Sequence, residues 1–311
     1  MKELETILQD ADAGDPITGL KWTRKTTRGL AKELQKKKYQ VGHSTIPRLA
    51  KELGYTLKKN RKRLSRKQDE QRDEQMKYLA RQRKRFLGRN QPVISVDCKK
   101  KELIGQFHNP GRTLRKVALD VLETDFPSDA TGKAIPYGIY DVHQNEGYMV
   151  VGVSHETADF AIAAIRRWWL EVGRKRYKGC RQLMIQADGG GANASNSWLW
   201  KAGLQSLSNE FGLEITVTHF PAGASKWNPI EHRMFGVISL NWAGQPLARY
   251  ETMLKFIRTS KTATGFRCLA CFDRRKYQTK QNVSLEDKQN LNIQFHRRFP
   301  QWNYTIKPHP H

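Results

Sequence analysis

Hydrophobic positions along the chain change texture near residue 90. Before it, apolar residues are sparse and recur at helical spacing. Leu30, Ala31 and Leu34 share one helical face, and Ile46, Leu49, Ala50 and Leu53 share another before Gly54 stops the run. Ser44 has the chemistry of an N-cap for the second helix, which places Pro47 at its third position, inside the first turn, where a missing N–H is tolerated. Two short helices with a polar connection around Lys36–Lys38 have the form of a helix-turn-helix, whose second helix exposes Arg48 and Lys51. Residues 1–20 read as a short helix and a loop broken by Gly14, Asp15, Pro16 and Gly19. Residues 66–88 read as a charged helix with a narrow apolar stripe of Met76, Leu79, Phe86 and Leu87, a solvated connector.

From Gln91 the apolar residues gather into β-branched and aromatic runs. PVISVD is a strand ending in a carboxylate; KKELIGQFHN, AIPYGIYDVH and GYMVVGVSH continue as partner strands. An amphipathic helix follows over HETADFAIAAIRRWWLEVGRKRY, with Phe160, Ala164 and Trp168 on one side and Trp168 and Trp169 as core residues. RQLMIQAD is a strand, 195–212 a helix, EITVTHF a strand and NPIEHRMFGVISLNW a helix. Three antiparallel-type strands followed by parallel crossovers predict an α/β domain, a mixed sheet flanked by helices. The expected organisation is an all-α module over 1–65, a connector over 66–90 and the α/β domain over 91–311.

Charge narrows the partner. The formal net charge is +25, and residues 1–90 alone carry 25 Lys and Arg against 11 Asp and Glu. Such a balance favours a polyanion, because each cation that meets a phosphate releases condensed counterions. No apolar run approaches the ~20 residues of a membrane span. The acidic start MKELETILQDADAGD lacks a leader's apolar stretch, so a cytoplasmic protein is expected. Four cysteines make no disulfide framework, and Cys268 and Cys271 form a lone CxxC that reads as ordinary reduced thiols.

Three carboxylates stand where ligands gather in open α/β sheets, outside the carboxyl ends of strands. Asp97 ends VISVD, Asp188 ends MIQAD ahead of Gly189, Gly190 and Gly191, and Glu231 lies in the first turn of the helix opened by WNPIEH. Each has a plainer reading alone: a strand-end turn, a tight glycine turn, and a capping box with Asn228 as N-cap and Glu231 at the third position. Together, converging carboxylates suit Mg²⁺ or Mn²⁺, and two such ions promote in-line phosphoryl displacement. Asp141, also at a strand end, is the rival ligand. The glycine run lacks the Gly-Lys-Ser/Thr of a nucleotide-binding loop.

On these residues the chain resembles the DDE insertion-sequence transposases of the ISAzo-thirteen type, distantly mariner-like. LKWTRKTTRGLAKEL, HSTIPRLAKELGY, VISVDCKKKELIGQF, GKAIPYGIYDV, ADGGGANAS, HFPAGASKWNPIEHRMF and WNYTIKP carry the likeness from about Leu20 to Pro308. The resemblance implies a ribonuclease H-like domain behind a helix-turn-helix, with Asp97, Asp188 and Glu231 holding two metal ions. It also implies cutting and strand transfer of double-stranded DNA by a homodimer or higher assembly in a bacterial nucleoid. A nuclease without strand transfer and a catalytically decayed DNA-binding protein are the alternatives. Lys99 to Lys101, Lys226, Trp227, His232 and Arg233 are the expected DNA contacts around the site, with surface or packing roles as their plainer reading. Relatives carry a further N-terminal helical unit before the LKWT segment, so a shortened N-terminal region is expected here.

Overall fold

The computed structural model of the chain describes residues 1–10, 13–14, 21–22, 25–56, 71–224 and 227–310. The chain divides into two compact units, Met1–Leu64 and Ser65–His311. In the first, helices α1 (Lys2–Asp10), α2 (Thr27–Lys36) and α3 (Ile46–Glu52) close a small core of Leu4, Ile7, Leu8, Leu30, Ala31, Leu34 and Ile46. Two-residue strands β1 (Ala13–Gly14) and β2 (Lys21–Trp22) pair antiparallel. Thr26 caps α2, its hydroxyl accepting from the Gly29 N–H at 3.1 Å. The expected Ser44 cap is not used. Thr45, already in a helical conformation, precedes α3 without a side-chain cap, and Pro47 stands at the second position rather than the third. A turn bond from Thr45 N to the Gly42 carbonyl winds the entry instead.

The second unit opens with α4 (Arg72–Gly88) and continues through β3 (Val93–Cys98), β4 (Glu102–Ile104), β5 (Gly132–Asp141) and β6 (Glu146–Gly152). Helix α5 (Ala158–Trp168) runs through a π-helical turn into α6 (Arg174–Arg176), ahead of β7 (Gln182–Ala187), α7 (Trp198–Phe211) and β8 (Glu214–His219). A π-helical turn over Glu231–Phe235 leads into α8 (Gly236–Asn241), then α9 (Tyr250–Thr259), β9 (Arg267–Asp273), α10 (Leu285–Gln289), β10 (Ile293–Phe295) and β11 (Asn303–Ile306).

Among the described residues the main sheet has the order β10-β11-β8-β7-β3-β5-β6-β9, with β4 added on β5. β3, β5 and β6 form an antiparallel meander, and β7 and β8 join β3 in parallel. That central order, three antiparallel strands and then two parallel crossovers, is the ribonuclease H-like arrangement. β9 extends one edge and β11 and β10 the other; these three strands were not foreseen. Strand alternation sorts the side chains. Ile94 and Val96 face a core under α5 and α7 that buries Trp168, Trp169 and Trp200. The opposite face packs Tyr140, Met149 and Val151 against Ile230, Met234 and Phe235 and against α9.

Helix α4 is more than a solvated connector. Gln75, Leu79 and Phe86 are buried, and the Gln75 amide donates to the His219 carbonyl and to Asn303 Oδ1, both at 2.9 Å. A narrow stripe is enough because one buried polar residue completes it. Cys268 and Cys271 are three apart on a strand, so they enter opposite cores and form no pair. Between β4 and β5 the chain forms an arm that exposes Leu114, Val117, Leu119 and Phe126. No helix among the described residues is long and apolar enough to cross a membrane.

Candidate active site

Parallel pairing sets the site. Val96 of β3 is the partner of Ala187 of β7, so Asp97 and Asp188 leave neighbouring strands side by side at one rim of the sheet. Strand β8 runs the same way and delivers its following segment, with Glu231, to that rim. What brings Glu231 inward is a glycine. Gly138 of β5 is the partner of Asp97, and a Cβ there would lie 2.5 Å from Phe235 and 2.9 Å from Ile230. Its bare backbone lets the Glu231 segment lie directly on the sheet beside Asp97.

Asp97 is 8% exposed, and its Oδ1 accepts from the Cys98 N–H at 2.7 Å. Burial, reinforced by the neighbouring Asp188, Glu231 and Glu156 charges, pushes its carboxyl up to about 8 against that one opposing hydrogen bond. Asp188 is raised too, by burial first and then by Glu156 and Glu231, while a 3.4 Å bond from the Gly190 N–H opposes. These like charges converge without a basic side chain among the causes. Hard oxygen donors that repel one another when ionised fit a divalent cation, whose charge would reverse the penalty. As they stand, no three Asp, Glu, His or Cys side chains among the described residues are gathered into a finished cage.

Glu156 is the neighbour that sequence reasoning missed. It follows β6, which runs in the direction of β3, so it reaches the same rim. Its carboxylate pairs with Lys101 at 3.0 Å and lies against Gly191, where a Cβ would stand 2.6 Å from Oε1. Only the strand directions, which the order of elements already implied, could have flagged it. Asp141, the rival, sits at the other end of β3, opposite Ile94.

The expected DNA contacts fall into distinct settings. Lys99 is 9% exposed, pairs with Glu102 at 2.8 Å and lies 4.4 Å over the Trp242 ring, committed within the fold. Lys100 and Lys101 are exposed at the rim. Trp227 is 45% exposed with the Arg72 guanidinium 4.7 Å above its ring. His232 and Arg233 are exposed beside Glu231. Lys226 lies outside the described residues. On α3, Arg48 and Lys51 are exposed, Arg48 pairing with Glu52 at 2.9 Å. The expected Asn228 cap is altered: the Glu231 N–H donates to the Asn228 carbonyl at 3.1 Å, but the Asn228 side chain accepts from the Ser95 hydroxyl on β3.

Comparison with known proteins gives one match along nearly the whole chain. The sequence signature of the family described as Rhodopirellula transposase DDE domain covers residues 3–308. No curated protein matches. Among solved structures, the Mos1 transposase paired-end complex with left transposon end aligns at 19% identity and a TM-score of 0.47, covering 82% of this chain and 68% of that one. The Mos1 mariner paired end complex with Mn aligns at 19% identity and the same TM-score, covering 82% and 69%.

Proposed function

Because the chain belongs to the Rhodopirellula transposase DDE domain family, we propose that it is a DNA transposase that hydrolyses a phosphodiester at element ends and joins the freed 3′-hydroxyl to target DNA. The observation that carries this reading is the juxtaposition at one rim of Asp97, Asp188 and Glu231, buried or half-buried and electrostatically opposed. Asp97, Asp188 and Glu231 are the residues that would hold two Mg²⁺ or Mn²⁺ ions, which would activate the attacking oxygen and neutralise the leaving one. The protein's own part is positioning and charge. Lys100, Lys101, His232 and Arg233, together with Trp227, are exposed near these carboxylates in sequence and would hold the DNA backbone. The helix-turn-helix in Met1–Leu64 would carry end recognition through Arg48 and Lys51. Two ends are processed together by a homodimer or higher assembly, and the apolar arm between β4 and β5 offers such an assembly a surface.

The test is cleavage and joining of labelled DNA bearing the element's ends, with Mg²⁺, Mn²⁺ or chelator. Wild type should yield both products, lost in chelator and in Asp188→Ala. Cleavage without joining would replace the transposase with a nuclease. DNA binding without either product would reduce the chain to a DNA-binding protein.

A further inference from the structure

Neither Asp188 nor Glu231 sits in a regular strand, so the hydrogen-bonded ladder that fixes Asp97 does not fix them. Each nevertheless has a buried asparagine close by in sequence. Asn193 follows Asp188 by five residues and is 2% exposed; Asn228 precedes Glu231 by three and is fully buried. The Asn193 side chain accepts from the Tyr137 hydroxyl at 2.7 Å, and its carbonyl stands 2.9 Å from His219 Nε2. The Asn228 side chain accepts from the Ser95 hydroxyl.

The two donors share an address. Ser95 lies two residues before Asp97 on β3 and therefore on the same face. Tyr137, on β5, is the partner of Cys98 and faces the opposite core with Ile94 and Val96. One asparagine thus grips the rim from each face of the sheet, and both grips are taken on the strand pair that carries Asp97. We propose that Asn193 and Asn228 are positioning residues that hold the Asp188 loop and the Glu231 segment at the separation from Asp97 that metal binding requires. This rests on the two-ion reading above and adds the device that sets its geometry.

Stability alone accounts poorly for Asn228. The Asn228 Nδ2 group is buried without a hydrogen-bond partner among the described residues. A buried donor left unmade costs about 1–3 kcal/mol, so an apolar residue would serve packing better at that point. The glycine run 189–191 would leave the Asp188 loop free to shift, and Asn193 is the first residue after it to bond a neighbouring strand through its side chain. Groups that hold a metal ligand's side chain set its orientation, and their loss costs metal affinity about 10–100-fold. Asn193 and Asn228 act one step further out, through the backbone that carries the ligands, so the lower end applies.

The test measures Mn²⁺ binding to the full chain without DNA, by calorimetry, alongside the melting temperature of the metal-free protein. Ser95→Ala and Tyr137→Phe each delete one hydroxyl and keep the packing; Asn228→Ala and Asn193→Ala remove the acceptors. Each hydroxyl deletion should weaken Mn²⁺ binding about tenfold in a protein that still melts cooperatively. The Ser95→Ala/Asn228→Ala double variant should bind no more weakly than Asn228→Ala, since both break one link. Affinities within twofold of wild type in folded Ser95→Ala and Tyr137→Phe would overturn the proposal while leaving the two-ion reading intact. Wild type that binds no Mn²⁺ in a manner abolished by Asp188→Ala would bring down the two-ion reading, and this inference with it.

Discussion

Asp97 and Asp141 lie on neighbouring strands at opposite ends of β3, each buried and each at a strand end. Their surroundings differ in one respect. Asp141 Oδ1 accepts from the backbone N–H groups of His143 and Gln144 at 3.0 and 3.1 Å, and the Tyr177 hydroxyl reaches both carboxylate oxygens at 3.0 and 2.9 Å. Asp97 accepts from one backbone N–H and faces three other carboxylates. Burial raises both, but donors hold Asp141 back, whereas like charges push Asp97 up to about 8. Burial alone does not separate these two aspartates; the supply of donors does.

The sharpest way to break that comparison is to neutralise each in turn. Asp97→Asn should lower cleavage and joining about a thousandfold or more, corresponding to several kcal/mol of charge stabilisation. Its metal-free melting temperature at neutral pH should equal or exceed that of wild type, because a repelled carboxyl is gone. Asp141→Ala should do the reverse, costing about 3 kcal/mol of stability by stranding three donors, with activity per folded molecule unchanged. Denaturant titration and a single-turnover assay on both variants decide it, and an exchange of the two phenotypes would sink the distinction.

A smaller effect is expected one strand away. Gly138→Ala puts a Cβ 2.5 Å from Phe235, so the Glu231 segment must move off the sheet. A displacement near 1 Å costs about a hundredfold in rate, with DNA affinity unchanged. Retained full activity in Gly138→Ala would mean that Glu231 does not depend on this close approach.

How much of this was legible in the sequence follows from the range of the forces involved. Strand direction and the place of Asp97 and Asp188 at strand ends follow from local pattern and crossover rules, and both stand in the structure. Asp141 could not be dismissed from its own neighbours, since its fate depends on β5 running against β3 and on Tyr177, 36 residues away. Glu156 was hidden in what reads as a helix start, and there Thr157 does cap α5, accepting from the Phe160 N–H at 3.2 Å. Asn228 has cap spacing, but its side chain is claimed by Ser95, 133 residues away. Strands β9 to β11 are edge additions whose short patterns signal neither strand nor helix. The expected contact at Lys226 falls on a residue outside those described.

His219 extends the comparison to a third buried titratable group, and its effect should be the mildest. Its Nδ1 stands 3.0 Å from the Trp302 carbonyl and its Nε2 2.9 Å from that of Asn193. Burial lowers its pKa to about 4, with Lys201 adding to the effect and the two carbonyls opposing it. At neutral pH the ring is therefore uncharged and donates to only one of the two oxygens. The unfolded chain, with a histidine pKa near 6.5, takes up the proton more readily than the folded one. Stability from this source is thus present above about pH 6.5 and is lost as pH falls towards 4, by up to ~3 kcal/mol. In His219→Gln that part of the acid sensitivity should vanish, so the stability difference between pH 7 and pH 4.5 shrinks relative to wild type. Equal acid sensitivity in the two proteins would mean that His219 does not titrate as a buried neutral ring.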